Sequence, residues 1–151
     1  MGDGIETSMI KSFKSQAEMA CETLMNHPEF QTEEINVIGF SQGGLIARYI
    51  AQACPIKGKV RNLITVGTPN MGVTEAPVCA TEELHEHTAL SIGCSILNFG
   101  VQKVMYSEWL TDISPTGYYR DVDNLSEYFE KSTFLSRLNN EIIHENNDLY
   151  R

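Results

Sequence analysis

The sequence predicts an α/β fold, a parallel sheet joined by crossover helices, and three observations carry that prediction. Helical and strand patterns alternate from residue 8 to residue 66. A short apolar strand runs straight into Ser41-Gln42-Gly43-Gly44. A second strand stops at Gly67-Thr68-Pro69, a turn signal. The length of 151 residues suits one domain, and 42% apolar residues suffice for an ordinary core.

The first helix is predicted over residues 8–26. Met9, Ile10, Phe13, Ala17, Ala20, Cys21, Leu24 and Met25 fall on one helical face, and Pro28 lies just past its end. Ile35-Asn36-Val37-Ile38-Gly39-Phe40 reads as a short buried strand. A second helix follows from about Leu45 to Ala53, with Ile46, Tyr49, Ile50 and Ala53 on one side and Pro55 ending it. The second strand is Leu63-Ile64-Thr65-Val66. From Pro77 to Tyr119 charged residues mix with scattered apolar ones, among them Leu90, Ile96, Phe99 and Leu110, without a strand pattern. That stretch reads as an irregular or helical insertion, a cap region within one domain spanning 1–151. The stretch from Leu125 to Leu138 is predicted to be helical in part, and there are no internal repeats or low-complexity tracts.

Charge narrows the function classes. A net charge of −9 argues against nucleic acid, which needs clustered Lys and Arg, and against a purely electrostatic membrane anchor. The apolar runs are too short to span a bilayer, and the N-terminal residues do not resemble a signal peptide.

Chemistry concentrates at Gly39-Phe40-Ser41-Gln42-Gly43, a G-x-S-x-G sequence. The pattern is informative because a strand precedes it and a helix follows, the setting of a nucleophile elbow. A serine at such a corner is held exposed at the C-terminal edge of the sheet. The backbone N–H of Gln42, at the helix start, can donate to an oxyanion, aided by the helix dipole. The fold class is thus an α/β-hydrolase fold, seen in part: central parallel strands, elbow and lid-like insertion. The competing reading is a chance match in a strand-to-helix turn of another α/β fold.

A serine nucleophile needs a base and an acid to orient it, in chain order Ser, Asp or Glu, His. His27 precedes the elbow and reads as a loop residue. His85 and His87 open the charged insertion and read as solvated. His144 comes last, with no convincing strand and acid before it, and is a poor candidate base. The four cysteines, Cys21, Cys54, Cys79 and Cys94, admit three disulfide pairings or four buried thiols, and none forms C-x-x-C. Asn124-Leu125-Ser126 is a candidate glycosylation sequon.

Beyond the motif, Asn36 to Gly44 (NVIGFSQGG) resembles the elbow of the palmitoyl-protein thioesterases. The resemblance continues in Arg48 to Pro55, Asn62 to Gly67, Gly72-Val73 and Pro77-Val78-Cys79. It returns in Tyr119-Arg120-Asp121, in Tyr128 to Ser132 and in Phe134 to Glu141. Gly2-Asp3-Gly4 resembles the turn after an earlier strand, so the likeness covers nearly the whole chain.

That resemblance implies hydrolysis of the thioester joining a long fatty acyl chain to a protein cysteine, through an acyl-serine intermediate. Ser41 would be the nucleophile and Gln42 would supply an oxyanion-hole N–H. S-acylated proteins or peptides would be the substrates, with no metal and no organic cofactor. The insertion would contribute to an acyl groove. It also implies the disulfides Cys21–Cys54 and Cys79–Cys94, the latter closing a longer loop than usual, and a lysosomal or secreted location. Against the family pattern, the chain begins after the strand whose loop should give the second oxyanion donor. It stops at Arg151, before the expected triad Asp and His, so only Ser41 and Gln42 carry over. The isolated chain is therefore expected to be a partial sequence, poorly folded and inactive alone. The alternatives are a lipase or carboxylesterase of the same fold, or a non-catalytic hydrolase relic that binds acyl chains or a partner.

Overall fold

Ser12 opens the first helix. Its Oγ accepts a hydrogen bond from the Ser15 N–H at 3.1 Å, satisfying one of the donors that a helix start leaves orphaned. The computed structural model describes residues 11–31, 33–74, 105–106 and 114–141. Helix α1 is accordingly Phe13–Met25, shorter than the sequence pattern suggests. Ser12 has non-helical backbone angles and caps the helix at Phe13, while the expected start at residue 8 lies outside the described residues. A 3₁₀ turn, Pro28–Gln31, leads to strand β1, Glu34–Phe40.

Helix α2, Gly43–Ala53, follows β1 almost at once, and strand β2 is Lys59–Val66. Cys54, before Pro55, is extended, as residues preceding proline are biased to be. β1 and β2 pair in parallel, from Glu34 opposite Lys59 to Phe40 opposite Val66, with an irregularity between Ile35 and Asn36. β2 starts earlier than its apolar residues indicate because polar pairs extend the ladder. Asn62 Nδ2 donates to Asn36 Oδ1 at 2.7 Å, and Arg61 bonds Glu34 at 3.1 Å. Further along lie a 3₁₀ turn, Ser114–Tyr118, and helices α3, Leu125–Lys131, and α4, Leu135–Leu138. Most of the insertion expected over 77–119 lies outside the described residues.

Among the described residues the core sits among the helices, not on both faces of the sheet. Phe13 and Ala17 of α1 meet Leu45 of α2, Tyr118, Tyr128 of α3, and Phe134, Leu135 and Leu138 around α4. Phe13 touches Phe134 edge-on at 4.9 Å and Tyr118 at 5.3 Å, geometries aromatic rings favour. Pleating sends Ile38, Phe40, Ile64 and Val66 to the face away from α2, where they are 68%, 73%, 48% and 47% exposed. The reading of β1 as a buried strand is therefore corrected: among the described residues only one face is covered.

Two devices tie the ends of this layer together. Cys21 of α1 and Cys54 after α2 are joined by a disulfide, their Cα atoms 5.6 Å apart. Cys79 and Cys94 lie outside the described residues. At the other end, α4 closes in a Schellman motif. Asn140 takes a left-handed φ of 54°, its N–H reaches Arg137 O, and the Glu141 N–H reaches Ser136 O. Glu141 then accepts from Arg120 at 2.7 Å and from the Tyr128 hydroxyl, while the Arg120 guanidinium lies 4.7 Å over the Tyr128 ring.

The Cys21–Cys54 bond closes a separation of 33 residues, which corresponds to about 3–4 kcal/mol through the unfolded chain. Replacing both cysteines with serine should lower the unfolding free energy by about that amount. Denaturant titration checks it, and an unmoved midpoint would contradict it.

Candidate active site

A strand can pass into a helix this abruptly only where backbone meets backbone. A Cβ on Gly39 would lie 2.4 Å from Gly44 Cα and 2.6 Å from Gly43 O. One on Gly44 would lie 1.8 Å from Thr68 Oγ1. Both contacts are closer than real Cβ atoms tolerate, so hydrogen is the only side chain that fits at these two positions. Gly43 lies between them in sequence with nothing within 4 Å, and makes no such demand.

The corner is pinned by three backbone bonds. Ser41 N–H donates to Val66 O at 2.9 Å, continuing the parallel ladder one step past the strand end. Gly44 N–H reaches Ser41 O and Leu45 N–H reaches Gln42 O, each at 3.0 Å. Ser41 itself has a φ of 51°, a conformation uncommon for a residue with a side chain. It is exposed at the end of β1, and among the described residues nothing hydrogen-bonds its Oγ. The Gln42 N–H also donates to no described residue, as expected for the first donors of a helix. An exposed hydroxyl and an N–H without a partner among the described residues thus lie side by side at the start of α2. That arrangement suits attack on a carbonyl whose oxygen becomes negative.

The other expected residues fall as follows. His27 packs on Phe30, ring centroids 5.3 Å apart, in the turn after α1. His85, His87 and His144 lie outside the described residues. Asn124 is exposed and caps α3, its Oδ1 accepting from the Glu127 N–H at 3.3 Å. An open cleft of about 440 Å³ beside β2 is lined by Arg48, Leu63, Thr65, Asn70 and Glu141 among others, and Ser41 does not line it.

The family model for palmitoyl protein thioesterases matches residues 2–151. The chain belongs to the palmitoyl protein thioesterase family. It is 33% identical over 138 residues to palmitoyl-protein thioesterase 1 of Caenorhabditis elegans, covering 88% of this chain and 41% of the relative. It is 30% identical over 145 residues to the palmitoyl-protein thioesterase-dolichyl pyrophosphate phosphatase fusion 1 of Schizosaccharomyces pombe, covering 95% and 22%. The lysosomal thioesterase PPT2-B of Xenopus laevis is 31% identical over 113 residues, covering 74% and 35%. The chain thus spans less than half the length of these relatives.

Palmitoyl protein thioesterases are α/β-hydrolases, and the β1–elbow–α2–β2 unit is the corresponding part of this chain. Around it the structure assembles two contacts that linear reading misses. Arg48 of α2 donates to Asn70 Oδ1 at 3.3 Å, to Leu138 O at 3.2 Å and to Asn139 Oδ1 at 2.8 Å. It thereby joins α2, the turn after β2 and the end of α4. Burial draws its guanidinium below the ordinary value, with Glu141 acting in the opposite direction. The second contact runs from the Tyr118 hydroxyl to Gln42 Oε1 at 3.1 Å. Neither leaves a sequence signal, because the partners lie 22 to 91 residues apart.

The glycine geometry sets a contrast. Gly39→Ala and Gly44→Ala should each cost about 2–4 kcal/mol and abolish reaction at Ser41, because backbone or a packed threonine must move. Gly43→Ala should leave stability within about 0.5 kcal/mol of the parent. Thermal melts of the three variants check this, and a tolerated Gly39→Ala would contradict the packing described.

Proposed function

We propose that this chain forms the nucleophile-bearing part of a serine thioester hydrolase that removes long-chain fatty acyl groups from protein cysteines. The observation carrying the proposal is Ser41. It stands exposed at a positive φ between strand and helix, beside the Gln42 N–H, which donates to no described residue, in a chain of the palmitoyl protein thioesterase family. Ser41 Oγ attacks the thioester carbonyl and the Gln42 N–H helps hold the negative oxygen. The thiol departs, and water releases the fatty acid from the acyl-serine. Because a thiol of pKa about 8.5 is a good leaving group, its departure asks less of a general acid than that of an amine.

The substrate class follows from the relatives' names together with the physics of the acyl chain. Each buried methylene contributes about 0.8 kcal/mol, so an apolar groove dominates binding. The 77–119 insertion is the segment proposed to contribute to that groove. A lysosomal or secreted location is supported by the Cys21–Cys54 disulfide and by the lysosomal relative from Xenopus laevis.

In the native full-length protein, Ser41→Ala should lower turnover of a palmitoyl thioester at least about a thousandfold while leaving the melting temperature within a few degrees. A matched palmitoyl oxygen ester measured alongside separates thioesterase from lipase. Faster cleavage of the oxygen ester would replace the substrate class, and undiminished turnover by the alanine variant would end the serine mechanism.

A further inference from the structure

Gln42 is held from outside its own helix. Its side-chain oxygen accepts from the Tyr118 hydroxyl across 76 residues of sequence. Tyr118 is itself fixed on several sides. It is 5% exposed, its ring meets Phe13 edge-on, and its carbonyl accepts from the Val73 N–H at 3.0 Å. Burial pushes its hydroxyl above the ordinary tyrosine range, so it remains a neutral donor at physiological pH. Gln42 is only half-buried, and among the described residues its side chain bonds nothing else.

The anchor matters because side chain and N–H leave the same Cα region. A shift of Gln42 that carried its N–H out of place would also carry Oε1 off the Tyr118 hydroxyl. Oxyanion donors act through preorganisation, and a tether on the donor residue restricts that shift. We propose that Tyr118 is a positioning residue: its hydroxyl fixes Gln42 so that the Gln42 N–H faces the oxygen that turns negative when Ser41 is acylated. The proposal rests on the serine-hydrolase reading and adds the residue that keeps its oxyanion donor in place.

Tyr118→Phe and Gln42→Met, singly and combined, test this in the native full-length protein. Phenylalanine keeps the ring against Phe13 and removes only the hydroxyl. Methionine removes the acceptor at a half-buried position, and decides the matter if the phenylalanine variant fails to fold. Two rates are read: turnover of a palmitoyl thioester, and labelling of Ser41 by a fluorophosphonate. The label places a phosphoryl oxygen where the oxyanion forms, whatever the natural substrate. Each single variant should lose about fivefold in kcat and in labelling rate with KM unchanged. The double variant should lose no more than either single one.

A single variant that folds yet labels at the parent rate overturns the proposal, as does a double loss equal to the product of the single losses. A parent labelled at Ser41 that cleaves no thioester refutes the substrate class, and the labelling rates still decide the role of Tyr118. A parent that resists labelling refutes both.

Discussion

The arrangement depends on one backbone contact, the approach of Gly39 to Gly44 across the corner between β1 and α2. With hydrogens at both positions the helix can begin within three residues of the strand end, at Gly43. The chain then has no room for a gradual turn, and Ser41 takes a positive φ at the apex. Thr68 shows the cost of that packing. Its Oγ1 is buried against Gly44 with no partner among the described residues, although an unmet buried hydroxyl costs about 1–3 kcal/mol. Close packing at the corner prevails over the hydrogen bond. The stability that offsets such terms comes from the aromatic cluster of Phe13, Tyr118, Tyr128 and Phe134.

Much of this was legible in the sequence, for physical reasons that differ between elements. The strand, elbow and second helix are local events. Apolar residues at Ile35, Val37 and Ile38, two glycines spaced around Ser41, and Pro55 dictate them without distant help. Helix α1 was legible in its apolar face, and the Ser12 hydroxyl caps it at Phe13, within the stretch that the periodicity marks. Along residues 125–138 the pattern suggested partial helix, and the break between α3 and α4 falls at Ser132, where it binds Ser136 twice.

What the sequence could not show is long-range pairing among polar side chains. Arg48 lies on the polar side of an amphipathic helix, where solvation is the ordinary expectation. Instead it joins three segments. Tyr118 reaches Gln42 only because the Val73–Tyr119 bridge lays residues 118–120 beside the loop that follows β2. The same limit applies to burial. A run such as Ile35 to Phe40 suggests a strand covered on both faces, whereas coverage depends on what packs there. Here Phe40 and Ile38 remain largely exposed.

Ser41 is the point on which the functional account turns, so its acyl form is the most direct object to seek. The native protein mixed briefly with a palmitoyl thioester, quenched in acid, digested and weighed should yield a palmitoyl adduct on the peptide carrying Ser41. The adduct should form within the first turnover and decay as free fatty acid appears. Hydrolysis proceeding with no adduct at Ser41, or with the acyl group on another residue, would contradict the account.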